Sequence, residues 1–114
     1  MKSDFCIAKE FGKTPSARIE EEGKLSGREL RNILIPMIRQ SLSDGQRFTI
    51  DMDGTAGYGT SFLEEVFGGL IRIAGFSLHD LEMCLIIKSN EDPDLVDEVW
   101  EDIRDAEEEK QRKG

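Results

Sequence analysis

The chain has 114 residues, of which 38% are hydrophobic and 34% charged, and its 24 acids against 15 bases give a formal net charge of -9. That length suits a single domain over 1–114, with the last residues, 108–114, expected to fray. The negative balance argues against nucleic acid or an anionic membrane as partner, since cations grip both, and no apolar run approaches the ~20 residues of a bilayer span.

The opening MKSDFCIAKEF lacks the long apolar centre and cleavage site of a secretory signal, so a cytosolic protein is expected. DFCIAKEFG reads as a first short strand ended by Gly12, and a possible second strand covers Ala17 to Glu21 between Pro15 and Gly23. SGRELRNILIPMIRQSLSDG predicts a helix. Ser26 and Glu29 form a capping box, Leu30, Ile33, Leu34, Met37, Ile38 and Leu42 recur on one face, and Gly45 supplies the stop. Pro36 inside this helix should kink it, because it removes an N–H and crowds the preceding turn.

QRFTIDMD predicts a strand with Phe48, Ile50 and Met52 on one face and Thr49 and Asp51 on a half-covered other face. TSFLEEVFGGLIRIAG is apolar on most sides, so this helix should be buried on most sides, with Gly68 and Gly69 allowing close approach to a sheet or partner. DLEMCLIIKS reads as a further strand. The last helix starts at DPDL, with Asp92 as N-cap and Pro93 at the first helical position, and buries Leu95, Val96, Val99, Trp100, Ile103 and Ala106. Its opposite face is densely acidic and reads as solvated. Alternation of this kind implies an α/β fold around a central sheet.

Cys6 and Cys84 lie far apart in short apolar stretches and read as buried thiols; His79 stands alone in FSLHDLE and offers no ligand cluster. No cofactor or metal site is therefore expected. The stretch FTIDMDGTAGYGTSFLEEVF, residues 48–67, holds the candidate chemistry.

Asp51 and Asp53 match the nucleophile and acid/base pair of haloacid dehalogenase phosphatases, where Mg²⁺ bridges carboxylate and phosphate. That chemistry also needs further strands, a Lys and a second acidic pair, for which the chain has little room. Otherwise Asp53 starts the turn by bonding its own downstream backbone, and Asp51 pairs with a cation such as Arg18 or lies exposed. Gly54 through Ser61 satisfies a P-loop except that Thr60 fills the lysine slot, which removes the main grip on phosphate. A dinucleotide fingerprint fails because Phe62 stands where the third glycine belongs. What remains is a glycine-rich turn leading to a helix with Ser61 as N-cap and Glu64 completing a capping box. Hydroxyls at a helix N-terminus also suit a phosphate.

KTPSARIEEEGKLSGRELR, and more specifically Thr60-Ser61-Phe62 leading into Glu65, Phe67, Gly68, Gly69 and Leu70, resemble the STAS-like family of uncharacterised bacterial proteins, itself similar to the STAS domains of anti-sigma factor antagonists. The resemblance implies a mixed sheet of about four strands with three helices packed on it. It further implies a partner-switch protein that binds a kinase-like ATPase until a Ser or Thr at the start of the helix after a central strand is phosphorylated. By position the acceptor is Thr60, with Ser61 beside it, although Gly59 stands where antagonists usually carry Asp.

The expectation is a non-enzymatic regulatory interaction module that uses Gly57, Tyr58, Gly59, Thr60, Ser61 and Phe62 to meet a protein partner. A small Mg-dependent phosphatase-like enzyme using Asp51 and Asp53 is the alternative, and homodimerisation through helix 61–75 is a third possibility.

Overall fold

A computed structural model describes residues 4–15 and 26–113. Three strands form one sheet in the order β1 (Asp4–Cys6), β2 (Phe48–Asp51), β3 (Leu85–Lys88), and both pairings are parallel. Phe5 faces Ile50, and Ile50 faces Ile87, so the registers align one apolar row across the sheet. Among the described residues the sheet thus has three strands, all parallel, where a mixed sheet of about four was expected. The possible strand at Ala17 to Glu21 lies outside them. Parallel neighbours require a crossover connection, and the helices supply it.

Helix α1 (Ile7–Glu10) is a short turn that replaces the second half of the expected first strand. Glu10 causes the switch locally: its carboxylate accepts the Cys6 amide at 2.9 Å, four residues back, and Ile7 is fully buried. Helix α2 (Gly27–Asp44) begins and ends as its signals require. Ser26 and Glu29 exchange both bonds of the capping box, and Gly45 closes the helix in the left-handed region at φ 70. Leu30, Leu34 and Ile38 are completely buried, whereas Ile33 stays 39% exposed at the edge of the apolar stripe.

The expected helix after β2 begins at Thr60, stops at Arg72, three residues short of Gly75, and is not uniform. It consists of Thr60–Leu63, a π-helical turn Glu64–Gly68 and Gly69–Arg72, together called α3. Phe62, Leu63, Val66, Phe67, Leu70 and Ile71 are all buried, and the π turn packs against both α2 and the last helix, α5 (Asp94–Lys113). Each of the larger side chains contributes about 1.5–3 kcal/mol by leaving water. This is the central helix of the core, and its large side chains from Phe62 to Ile71 are consumed inside the chain.

Gly68 and Gly69 make room for arginines and not for a sheet or a second chain. A Cβ on Gly69 would lie 2.4 Å from Arg31 Nη1, and one on Gly68 would lie 2.8 Å from Arg72 Nη2.

DLEMCLIIKS divides. Helix α4 (Leu78–Cys84) takes its first part because Ser77 and Asp80 form a second capping box, with Asp80 N donating to Ser77 Oγ at 3.0 Å and Ser77 N to Asp80 Oδ2 at 3.1 Å. Only Leu85–Lys88 remains extended. His79 is an exposed residue of α4. Cys84 is buried, but Cys6 is only half-buried, against expectation, because it ends β1 at the sheet margin.

In the central strand Thr49 is buried as well as Ile50, so the second face of β2 is better covered than its polar side chains implied. Helix α5 starts at Asp94, two residues after the expected cap. Its entry is a tight turn in which the Asp92 and Pro93 carbonyls accept the Leu95 and Val96 amides. Val99, Ile103 and Ala106 are its fully buried residues. Among the described residues no helix is long and apolar enough to cross a membrane.

Candidate functional site

The carboxyl ends of β2 and β3 lie side by side, with Asp51 opposite Lys88, and the chain beyond both strands stays paired because Met52 N donates to Lys88 O at 2.8 Å. Asp51 ends β2 and accepts the amide of Asp53 at 3.0 Å, the two-residue turn that had been expected of Asp53 itself. Its carboxylate also lies 3.9 Å from Lys88 Nζ. Arg18, the cation suggested for it, lies outside the described residues.

Asp53 reaches across to the segment that follows β3. Its carboxylate accepts the Asn90 amide at 3.0 Å and the Glu91 amide at 2.9 Å, and Ser89 Oγ approaches at 3.5 Å. Glu91 answers by accepting the Gly54 amide at 2.9 Å. The two loops are therefore stapled in both directions. Hydrogen bonds from the Glu91 and Asn90 amides hold the Asp53 carboxyl below the usual carboxylate range, since they favour its charged form.

The turn between them needs glycine at two positions, with Gly54 at φ 92 and Gly57 at φ 134. Ala56 N donates to Lys13 O at 2.8 Å, which ties the turn to the segment after α1. Tyr58 points partly inward. Its hydroxyl donates to Met52 O at 2.8 Å, its ring sits 6.1 Å from that of Phe62, and burial pushes its phenol up to about 12.

Of the six residues expected to meet a partner, Gly57, Gly59, Thr60 and Ser61 are exposed and Tyr58 is half-buried. Phe62 does not belong with them. It is 1% exposed and packs against Phe11 and Tyr58, because it is the first core residue of α3.

Ser61 is not the N-cap. Gly59 takes that place with no side-chain bond, so Thr60 and Ser61 both lie within the first turn, and both are exposed. The capping box with Glu64 is absent for a visible reason: Glu64 pairs with Arg72, and Glu65 with Arg31 at 2.5 Å. Arg31 Nη1 also donates to the Glu65 carbonyl at 2.8 Å. Only 4% of the Arg31 side chain is exposed, and it anchors the π turn to α2.

Sequence reasoning missed this arginine. The signal was its place on the buried side of α2, one helical turn after Gly27 and three residues before Leu34. Nor did it find the Asp53 staple, whose other half, Ser89-Asn90-Glu91, is distant in sequence. Among the described residues no group of three or more His, Cys, Asp and Glu side chains is placed to share a metal ion.

A family model described as a STAS-like domain of unknown function (DUF4325) matches residues 26–95, from the cap of α2 to the start of α5. The chain belongs to this STAS-like family. The match includes the whole stapled turn and both exposed hydroxyls, so the candidate surface is part of the STAS-like domain and not an addition to it. No curated protein and no solved structure matches the chain.

Proposed function

We propose that this STAS-like domain is a non-enzymatic regulatory module that docks a protein partner through residues 54–61, with Thr60 or Ser61 as a phosphorylation switch. The observation that carries the reading is the division of labour at the turn: the Asp53 carboxylate is occupied by backbone amides, while both hydroxyls are free at the surface. A phosphate there adds nearly two negative charges one helical turn from Glu64 and Glu65, and it disrupts a docked interface by repulsion and desolvation. A kinase-like ATPase is the partner class that fits the resemblance.

Calorimetry with a kinase-like ATPase tests docking. Thr60→Glu and Ser61→Glu abolish binding, and Arg39→Glu, at an exposed position of α2, leaves it intact. Loss in none of the three, or in all, refutes the surface. Mass spectrometry after incubation with that ATPase and ATP finds phosphate on Thr60 or Ser61; its absence removes the switch. Hydrolysis of p-nitrophenyl phosphate with Mg²⁺ that Asp51→Asn abolishes would return an enzymatic reading.

A further inference from the structure

A cleft of about 260 Å³ opens beside the docking turn, outside the carboxyl ends of β2 and β3. Crevices at this end of a parallel sheet are the usual place for ligands in α/β folds. It is smaller than the roughly 300–1,000 Å³ of pockets that enclose whole small molecules, and its size suits one inserted side chain. Met52 and Leu95 line its apolar part, Tyr58 forms an aromatic wall, and Glu91, Asp92 and Glu98 supply charge; no Lys or Arg among the described residues lines it.

Its walls are set before anything binds. Tyr58 is fixed by its bond to Met52 O, and Glu91 by the Gly54 amide. Ser89 Oγ accepts the Asp92 amide at 3.2 Å, which places Asp92 at the rim. Neither the Asp92 nor the Glu98 carboxylate has a hydrogen-bond or ion-pair partner among the described residues.

A preformed cleft with an apolar floor, an aromatic wall and two uncommitted carboxylates complements a long cationic side chain. Its methylenes lie along Met52 and Leu95, its charge meets the carboxylates, and the Tyr58 ring adds a cation–π face. We propose that the docking partner inserts an Arg or Lys side chain into this cleft. The proposal rests on the docking reading above and names the partner chemistry that the surface selects: a basic anchor beside the phosphorylatable turn.

Nuclear magnetic resonance titration of the ¹⁵N-labelled full chain tests it. The probes are capped Gly-Gly-Arg-Gly-Gly, its Lys, citrulline and norleucine counterparts, and MgCl₂. The Arg and Lys peptides produce saturable shifts at Gly57, Tyr58, Leu95 and Glu98, and the citrulline and norleucine peptides do not. The double variant Asp92→Asn/Glu98→Gln weakens this binding about tenfold or more, as expected for losing two charge-assisted bonds. Equal shifts with citrulline, unchanged affinity in the double variant, or saturation of the same amides by Mg²⁺ overturn the proposal.

The double variant also enters the calorimetric docking assay. Docking that survives in it while Thr60→Glu abolishes binding refutes the cationic anchor and leaves the docking surface standing. Docking that survives in Thr60→Glu as well refutes the surface itself.

Discussion

Asp102 offers the sharpest test of how the acidic face of α5 meets the core. Its Oδ2 is buried with no hydrogen-bond partner among the described residues, and its neighbours there are Glu64 on α3 and Glu98, Glu101 and Asp105 on its own helix. Burial, followed by repulsion from these carboxylates, pushes its carboxyl from 3.8 up to about 6. The folded state therefore prefers the protonated form. That preference stabilises the fold fully below the ordinary carboxyl value and is lost as pH rises through about 6.

The gap corresponds to about 3 kcal/mol, and solvent screening of this partly exposed group reduces it to about 1–2 kcal/mol. Asp102→Asn removes the ionisation with almost no change of shape, so it should stabilise the protein by that amount at neutral pH. For a domain of this size the rise in melting temperature is roughly 4 °C per kcal/mol. At a pH of about 4.5 the advantage should shrink to roughly half to two-thirds, because the wild-type carboxyl is then taking up its proton in the folded state. Thermal unfolding followed by circular dichroism, for both proteins across this range, measures the difference. A variant less stable than wild type at neutral pH, or a difference that does not change with pH, would refute the reasoning.

The other predictions address the staple, the glycines and the thiols. Asp53→Asn should lower the melting temperature at neutral pH and speed hydrogen exchange of the Asn90 and Glu91 amides; the loss should vanish as pH falls through the depressed Asp53 value, since both proteins then lack the charge. Gly69→Ala should destabilise by about 1–2 kcal/mol in urea unfolding, because its methyl meets the buried Arg31 at 2.4 Å and the gain in helix propensity offsets only part of that. Gly68→Ala should be near neutral, because the Arg72 guanidinium it meets is partly exposed and can move; equal losses at the two glycines would contradict this account. Ellman's reagent should titrate Cys6 in the native protein and reach Cys84 only after denaturation, since Cys84 is buried and its thiol is pushed up to about 11 by that burial.

What could be read from the chain followed the strength of local signals. Helix α2 carries a capping box, a three-and-four apolar stripe and a left-handed glycine, three independent signs with one meaning, and it forms within a residue of its expected ends. The stretch from Leu78 to Lys88 carried two competing signs. Its apolar run Met83 to Ile87 satisfies strand and buried helix equally, and the Ser77–Asp80 cap that decides the matter is outweighed unless caps are read before periodicity. The family resemblance was legible in the turn and the first residues of α3, where the match also falls. The π turn was not. It depends on Arg31, a residue from another helix that supplies a partner for the Glu65 carbonyl, and no local pattern encodes such a contact.

The same dependence on distant partners gives the Asp-x-Asp-Gly-Thr string a structural role here when its letters suggest catalysis. Two parallel strands ending side by side leave the amides that follow β3 within reach of a side chain two residues past β2. A carboxylate there satisfies them, and Asp53 does so with Asn90 and Glu91. Once it accepts those bonds its charged form is favoured, so it becomes a poor proton donor near neutral pH. The same bonds fix the shape of the glycine-rich turn, which would otherwise lose much freedom on binding. A turn ordered in advance spends less of its contact energy on that ordering when a partner arrives. Asp53 thus orders the turn that leads to Thr60 and Ser61 together with one wall of the acidic cleft, the arrangement on which the proposed docking reading relies.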